Sequence, residues 1–160
     1  MDEYSREEVE QAFRHYWQVG NIEERWSDWA DCFTEDVVYV EHVLGNFDGR
    51  EAVRKWITEL MVHNTHVHGA LDWYVIEGPR VVYGMDNRYF NPEGPEHPDI
   101  EFPGMSQILY GGDGLFRFQE DYWDMKLAKL AYKRFTELRE RFGDEHLEDT
   151  DARRDARKSW

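Results

Sequence analysis

Phe33-Thr34-Glu35-Asp36-Val37-Val38-Tyr39-Val40-Glu41-His42, with Gly49-Arg50-Glu51-Ala52-Val53 following seven residues later, is the stretch that decides the fold. In an extended chain successive side chains point to opposite faces, so Val37, Tyr39 and Glu41 share one side. The strand is apolar to its middle and then sets a phenol and a carboxyl on that same side. A glycine turn and a new amphipathic segment follow. This is how an α+β domain opens a pocket, and two polar groups aimed into an apolar interior point to chemistry or specific binding.

Helices flank the strand. Upstream, Ser5 and Glu8 have the capping-box spacing, and Val9, Ala12, Phe13, Tyr16 and Trp17 recur at helical intervals until Gly20 ends the run. Asn21 with Glu24 repeats the signal, and Ile22, Trp26, Trp29, Ala30 and Phe33 form the apolar face of a second helix. Downstream, Asp48 with Glu51 opens a third, with Val53, Trp56, Ile57, Leu60 and Met61 as its buried stripe. The strand between the second and third helices runs from about Asp36 to Val43.

After His63 the pattern changes from helical to alternating. Leu71 to Glu77 turns through Gly78-Pro79 into Arg80 to Phe90, and Met105 to Tyr110 turns through Gly111-Gly112-Asp113-Gly114 into Leu115 to Trp123. Between these hairpins, Asn91 to Gly104 holds four of the five prolines, which predicts a surface loop, a lid over the pocket mouth. A fourth helix is predicted from near Met125 to Phe142, closed by Gly143. Residues 1–143 read as one domain. Residues 144–160 mix both charge signs with few apolar residues and read as a disordered tail.

Composition bounds the function. A chain of 160 residues buries a sizeable core without stapling. Seven Trp, nine Tyr and nine Phe suit a core or cavity walled by rings. With 34 acidic against 19 basic residues the net charge is -15, which repels nucleic acid and anionic membrane. Cys32 is the single cysteine and falls on the apolar spacing of the second helix, so it reads as core. The acidic start resembles no signal peptide, and no apolar run approaches a membrane span, which predicts a cytoplasmic protein. No phosphate loop or dinucleotide fingerprint is present, and no cofactor is implied. Ser106 lacks a nucleophile elbow.

The order helix, helix, strand, helix, then hairpins resembles the nuclear transport factor 2-like superfamily over about residues 5 to 125. That superfamily includes ketosteroid isomerases, SnoaL-type polyketide cyclases, scytalone dehydratase and limonene epoxide hydrolase. The resemblance implies an α+β, cone-shaped fold: three N-terminal helices packed on a curved mixed or antiparallel sheet around a deep apolar cavity, plus a C-terminal helix. It also implies a homodimer formed through the open face of the sheet.

The nearest pattern is the limonene epoxide hydrolase branch. Its Phe-x-Glu-Asp, two residues, Tyr-x-Asn, then Gly-Arg-x-Ala-Val matches Phe33 through Val53, with Glu41 where the branch has Asn. Asp121-Tyr122-Trp123-Asp124 matches the end of its last strand. In that branch a Tyr, an Asn and two Asp bridged by an Arg position and deprotonate water while an epoxide oxygen is protonated. The resemblance sets Tyr39 and Asp121 on the water-holding positions, and the Arg-x-Asp pair stands reversed, as Asp86 and Arg88. Hexachlorocyclohexane dehydrochlorinase is also similar. Its catalytic His matches His66, and its partner Asp falls near Asn21, with Glu24 or Asp28 as substitutes.

The residues alone frame the same candidates. Tyr39 with Glu41, and Asp86 with Arg88, are same-side strand pairs. Facing a cavity, a carboxylate beside Arg88 stays ionised while one against rings is raised by desolvation, which supplies an acid and a base at neutral pH. Facing out, Asp86 and Arg88 are a surface pair and Glu41 is solvated. Asp121 or Asp124 could instead cap the last helix. Among His63, His66 and His68, a metal needs a third ligand that no spacing supplies, so no metal is assigned. His66 is the reserve base. Trp17, Trp56, Phe90 and Trp123 are the candidate walls for substrate. The function read here is a cofactor-free enzyme doing general acid–base chemistry (isomerase, dehydratase, cyclase or epoxide hydrolase type) on a small hydrophobic molecule. The alternative is a non-catalytic binding or dimerisation module.

Overall fold

Ser5 accepts the Glu8 amide at 3.1 Å and opens α1 (Arg6–Trp17), as the capping spacing predicts. The Glu8 carboxylate does not reach back; it takes the Tyr110 hydroxyl at 2.7 Å. In this computed structural model, which describes residues 4–160, the helix does not stop at Gly20. It runs on through a π-helical turn, Gln18–Ile22. Gly20 serves close packing instead, since a Cβ there would lie 2.5 Å from the Trp29 ring. The expected second helix shrinks to α2 (Trp26–Trp29) and a 3-10 turn, Ala30–Cys32, and Phe33 is already in the sheet.

β1 (Phe33–Glu41) pairs with β2 (Gly45–Asp48), a strand hidden in the sequence because Gly-Asn-Phe-Asp reads as a turn. Gly49, at φ +90, precedes α3 (Arg50–Val62). Val53 and Ile57 of its stripe are buried, and Trp56, Leu60 and Met61 pack on the same core partly covered. β3 (Val67–Glu77), β4 (Arg80–Tyr89), β5 (Ile100–Gly112) and β6 (Leu115–Trp123) follow. The sheet order is β2-β1-β6-β5-β4-β3, with β1 and β6 parallel and every other pair antiparallel. Register shifts at Leu71/Trp73 and along Leu109 to Gly112 bend the strands, giving a curved sheet that stays open.

The proline-rich stretch is shorter as a loop than expected. β5 starts at Ile100 with Pro103 inside it, opposite Asp86 of β4, while β6 first pairs at Gly104. Pro103 thus lies where β5 has one neighbour instead of two, the kind of position a proline tolerates.

α4 (Met125–Phe142) is capped by Asp124, whose carboxylate accepts the Lys126 and Leu127 amides at 2.7 and 3.0 Å. Gly143, at φ +77, ends it. The tail, expected to be disordered, is held. It carries α5 (Asp151–Asp155), Leu147 packs with Tyr89, Phe90, Ala131 and Phe135, and Arg157 is fully buried. Composition hides this because much of the anchoring is ionic: Arg157 bonds Asp149 at 2.7 and 3.2 Å. Between helices and sheet, Phe13, Tyr16, Trp17, Phe33 and Tyr83 are essentially unexposed and meet in tilted and edge contacts. Each such ring contributes on the order of 2 kcal/mol by burial.

Candidate active site

Register assembles the site. Glu41 of β1 lies opposite Asp121 of β6, Asp121 opposite Ser106 of β5, and Ser106 opposite Tyr83 of β4. Gln119 stands beside Tyr39, and α1 adds Tyr16 from above. The Tyr39 hydroxyl donates to Asp121 Oδ2 at 2.5 Å, and Ser106 Oγ donates to Oδ1 at 2.6 Å. Gln119 Nε2 donates both to Asp121 Oδ1 and to the Tyr39 hydroxyl, at 2.8 Å each. The Tyr16 hydroxyl donates to Gln119 Oε1 and meets the Tyr83 hydroxyl, both at 2.9 Å.

This network shifts its acids upward. Burial pushes the Asp121 carboxyl above the ordinary aspartate range, outweighing the Ser106, Tyr39 and Gln119 donors, and the Glu41 charge adds to the rise. Burial, then the Asp121 charge, raises Tyr39 well above an ordinary phenol. Tyr39 therefore stays a donor to Asp121 at neutral pH.

Glu41 faces inward but is engaged locally. Its carboxylate accepts Trp123 Nε1 at 2.7 Å and the Leu44 and Val43 amides at 2.5 and 3.3 Å. The carboxylate thus closes the turn after β1. A surface groove of about 370 Å³ is lined by His42, Gly104, Met105, Tyr122 and Trp123, and its His42 and Tyr122 rings pack together on the sheet face opposite Asp121.

The comparisons with known proteins bear on the fold. The model of the SnoaL-like domain matches residues 6–124, about three quarters of the chain. The chain belongs to the SnoaL-like family. No curated protein matches it in sequence. Among solved structures, a protein from Shewanella putrefaciens assigned as a SnoaL-like polyketide cyclase superposes with TM-score 0.64 at 11% identity, covering 82% of this chain and 88% of that one. An M. tuberculosis epoxide hydrolase of the limonene type gives 0.60 at 15% identity, covering 81% and 92%. A nuclear transport factor 2-like protein of unknown function from Burkholderia pseudomallei gives 0.59 at 17%, covering 78% and 95%. At these identities the likeness is one of fold.

Within this SnoaL-like domain, Tyr39, Glu41 and Asp121 converge as expected, while Asp86 and Arg88 do not join them. Val81, Tyr83 and Met85 pack in the core, so alternation turns Asp86 and Arg88 to the opposite face and leaves Met85 and Asn87 on the inner one. Arg88 instead bonds Glu101 at 2.5 Å and lies 3.6 Å from Asp99. His66 precedes β3 and packs on Phe135, with burial lowering its pKa.

His68 is the histidine that gains a carboxylate: its Nδ1 lies 2.5 Å from Glu24 Oε1 and its ring stacks on Phe90 at 4.4 Å. Glu24, His68 and Asp149 bring ligand-type atoms within 4.8 Å of one another, but the Arg157 guanidinium already supplies the cation there.

The four expected walls divide. Trp17 is core and donates Nε1 to the Arg157 carbonyl at 3.0 Å, whereas Trp56 packs between Tyr39 and Phe47. Phe90 carries His68, and Trp123 holds Glu41. Gln119, Ser106 and Tyr16 were not singled out from sequence as site residues. Gln119 shares its strand face with Asp121, the one signal that pointed to it.

Proposed function

We propose that this SnoaL-like protein is a cofactor-free acid–base enzyme acting on a small, largely apolar molecule, with Asp121 as the proton-exchanging group and Tyr39 as its donor partner. The observation that carries the reading is the Tyr39–Asp121 contact, at which burial holds the carboxyl above the ordinary aspartate range beside a phenol that keeps its proton. Asp121 is less enclosed than Tyr39.

Among the family's reactions, proton transfer on a carbon acid, as in isomerisation or cyclisation, fits better than water addition to an epoxide. The Arg-bridged second carboxylate that activates water in the epoxide hydrolase branch has its counterpart, Asp86 with Arg88, on the other face. A homodimer belongs to the same reading, since Trp73, Val75 and Met105 leave large apolar surface exposed on the sheet.

A second reading, a binding or assembly module without chemistry, is favoured by one observation: the network is internally hydrogen-bonded and walled by closely packed rings. Turnover of a panel of enones, hydroxylated ring compounds and epoxides in ¹⁸O- and deuterium-labelled water separates the two. Deuterium at carbon in product, lost in Asp121→Asn, supports the proposal. Label from water oxygen points to hydrolysis, and retention of turnover in Asp121→Asn overturns the assignment.

A further inference from the structure

The family match ends at Asp124, yet the most deeply buried charged side chain in the described residues, Arg157, comes from beyond it. Its carbonyl accepts the Trp17 indole N–H at 3.0 Å and the Leu71 amide at 3.1 Å, so the tail lies along the outer edge of β3. Its guanidinium donates to Asp149 and, at 3.3 Å, to the Ile22 carbonyl, and lies 3.8 Å from Glu24. Its Nε has no partner, the mark of a group held by position more than by saturation.

The tail closes over an unusual piece of backbone. Glu24 adopts φ +54, a left-handed conformation that costs a non-glycine residue about 1 kcal/mol, directly after the π-helical turn. That strain delivers its carboxylate to His68, which is only 4% exposed. Two further contacts fasten the tail nearby. Arg153 sits 4.0 Å over the Phe90 ring that stacks on His68, and Leu147 fills the small core beneath α4. Charge favours the docking, since 153–158 carries four basic residues against one acid in a chain of net charge -15. Burial alone would push the Asp149 carboxyl up, but Arg157 and Arg154 hold it below the usual range, so the pair is a charged one.

We propose that residues 144–160 form a latch, hinged at Gly143 and pinned by Arg157, that keeps His68 from solvent and opens as a unit while the sheet stays folded. This stands apart from the Asp121 reading, because its readouts need no substrate.

The test is hydrogen exchange of the Leu71 amide and Trp17 indole, together with carbethoxylation of His68 by diethyl pyrocarbonate mapped by mass spectrometry, in the full chain and in Arg157→Ala. The latch predicts that the substitution speeds exchange at both sites and modification of His68 by about tenfold or more, with β4–β5 ladder amides changed less than about twofold. Equal acceleration of the ladder, or an unchanged rate at His68, overturns it. If Arg157→Ala does not fold, the parent protein decides. Leu71 exchange with a weaker urea dependence than the ladder supports separate opening, and equal slopes contradict it.

Discussion

Tyr39 and Asp121 stand on parallel neighbouring strands, two residues out of register, and are joined by a 2.5 Å hydrogen bond inside the protein. Two consequences distinguish this pair from an ordinary buried contact. The phenol cannot give up its proton at neutral pH, and burial holds the carboxyl above the ordinary aspartate range.

Tyr39→Phe removes a hydroxyl that both donates to Asp121 and accepts from Gln119 Nε2. A buried group left short of a partner costs about 1–3 kcal/mol, so the urea midpoint should fall accordingly. The lost donor also lets the Asp121 carboxyl rise further, since that bond holds it down. Urea denaturation and an Asp121 titration check the two effects separately.

Asp121→Asn should change how stability depends on pH. The folded-state carboxyl titrates above its ordinary value, so its stabilising contribution is complete below the ordinary aspartate range and is lost as pH rises through the raised value. The parent should therefore lose stability relative to Asp121→Asn as pH rises from about 4, where an isolated aspartate titrates, through the raised folded-state value. Paired denaturation curves across that window measure it. On a substrate that the parent turns over, the same variant should lose about 10²–10⁴ in rate.

Arg88→Ala is the contrasting case. Arg88 pairs with Glu101 and Asp99 away from the network, so its removal should cost less than about 1 kcal/mol and leave turnover within about twofold. A large loss of turnover would place Arg88 in the chemistry after all.

Cys32 is buried, and burial pushes its thiol up to about 12. It should resist a disulfide reagent at pH 8 in the folded protein and react fully in denaturant, because the thiolate is the reacting species. Thiol release followed by absorbance checks this, with rapid reaction in the folded state as the contrary result.

The strands and helices that carry strong periodicity were legible: α1, α3, α4 and the two hairpins stand where the residues put them. Failures came where one residue type serves two ends. Gly20 reads as a helix stop but is a seat for Trp29, and Pro103 reads as loop but sits where β5 has a single neighbour.

In the site, Tyr39, Glu41 and Asp121 were visible as inward strand positions. The facing of Asp86 and Arg88 was not, because alternation fixes which residues share a side and leaves open which side is the core. His68 was visible only as one of three histidines. Its partner lies 44 residues away, on a strained loop whose left-handed Glu24 no sequence pattern announces.

The central claim is that Asp121 is a raised, proton-exchanging carboxyl. A ¹³C NMR titration of the aspartate side-chain carboxyls, with Asp121 identified by the signal missing in Asp121→Asn, measures it directly. The account predicts a midpoint above the ordinary aspartate value that climbs further in Tyr39→Phe. A midpoint at or below that ordinary value would contradict it.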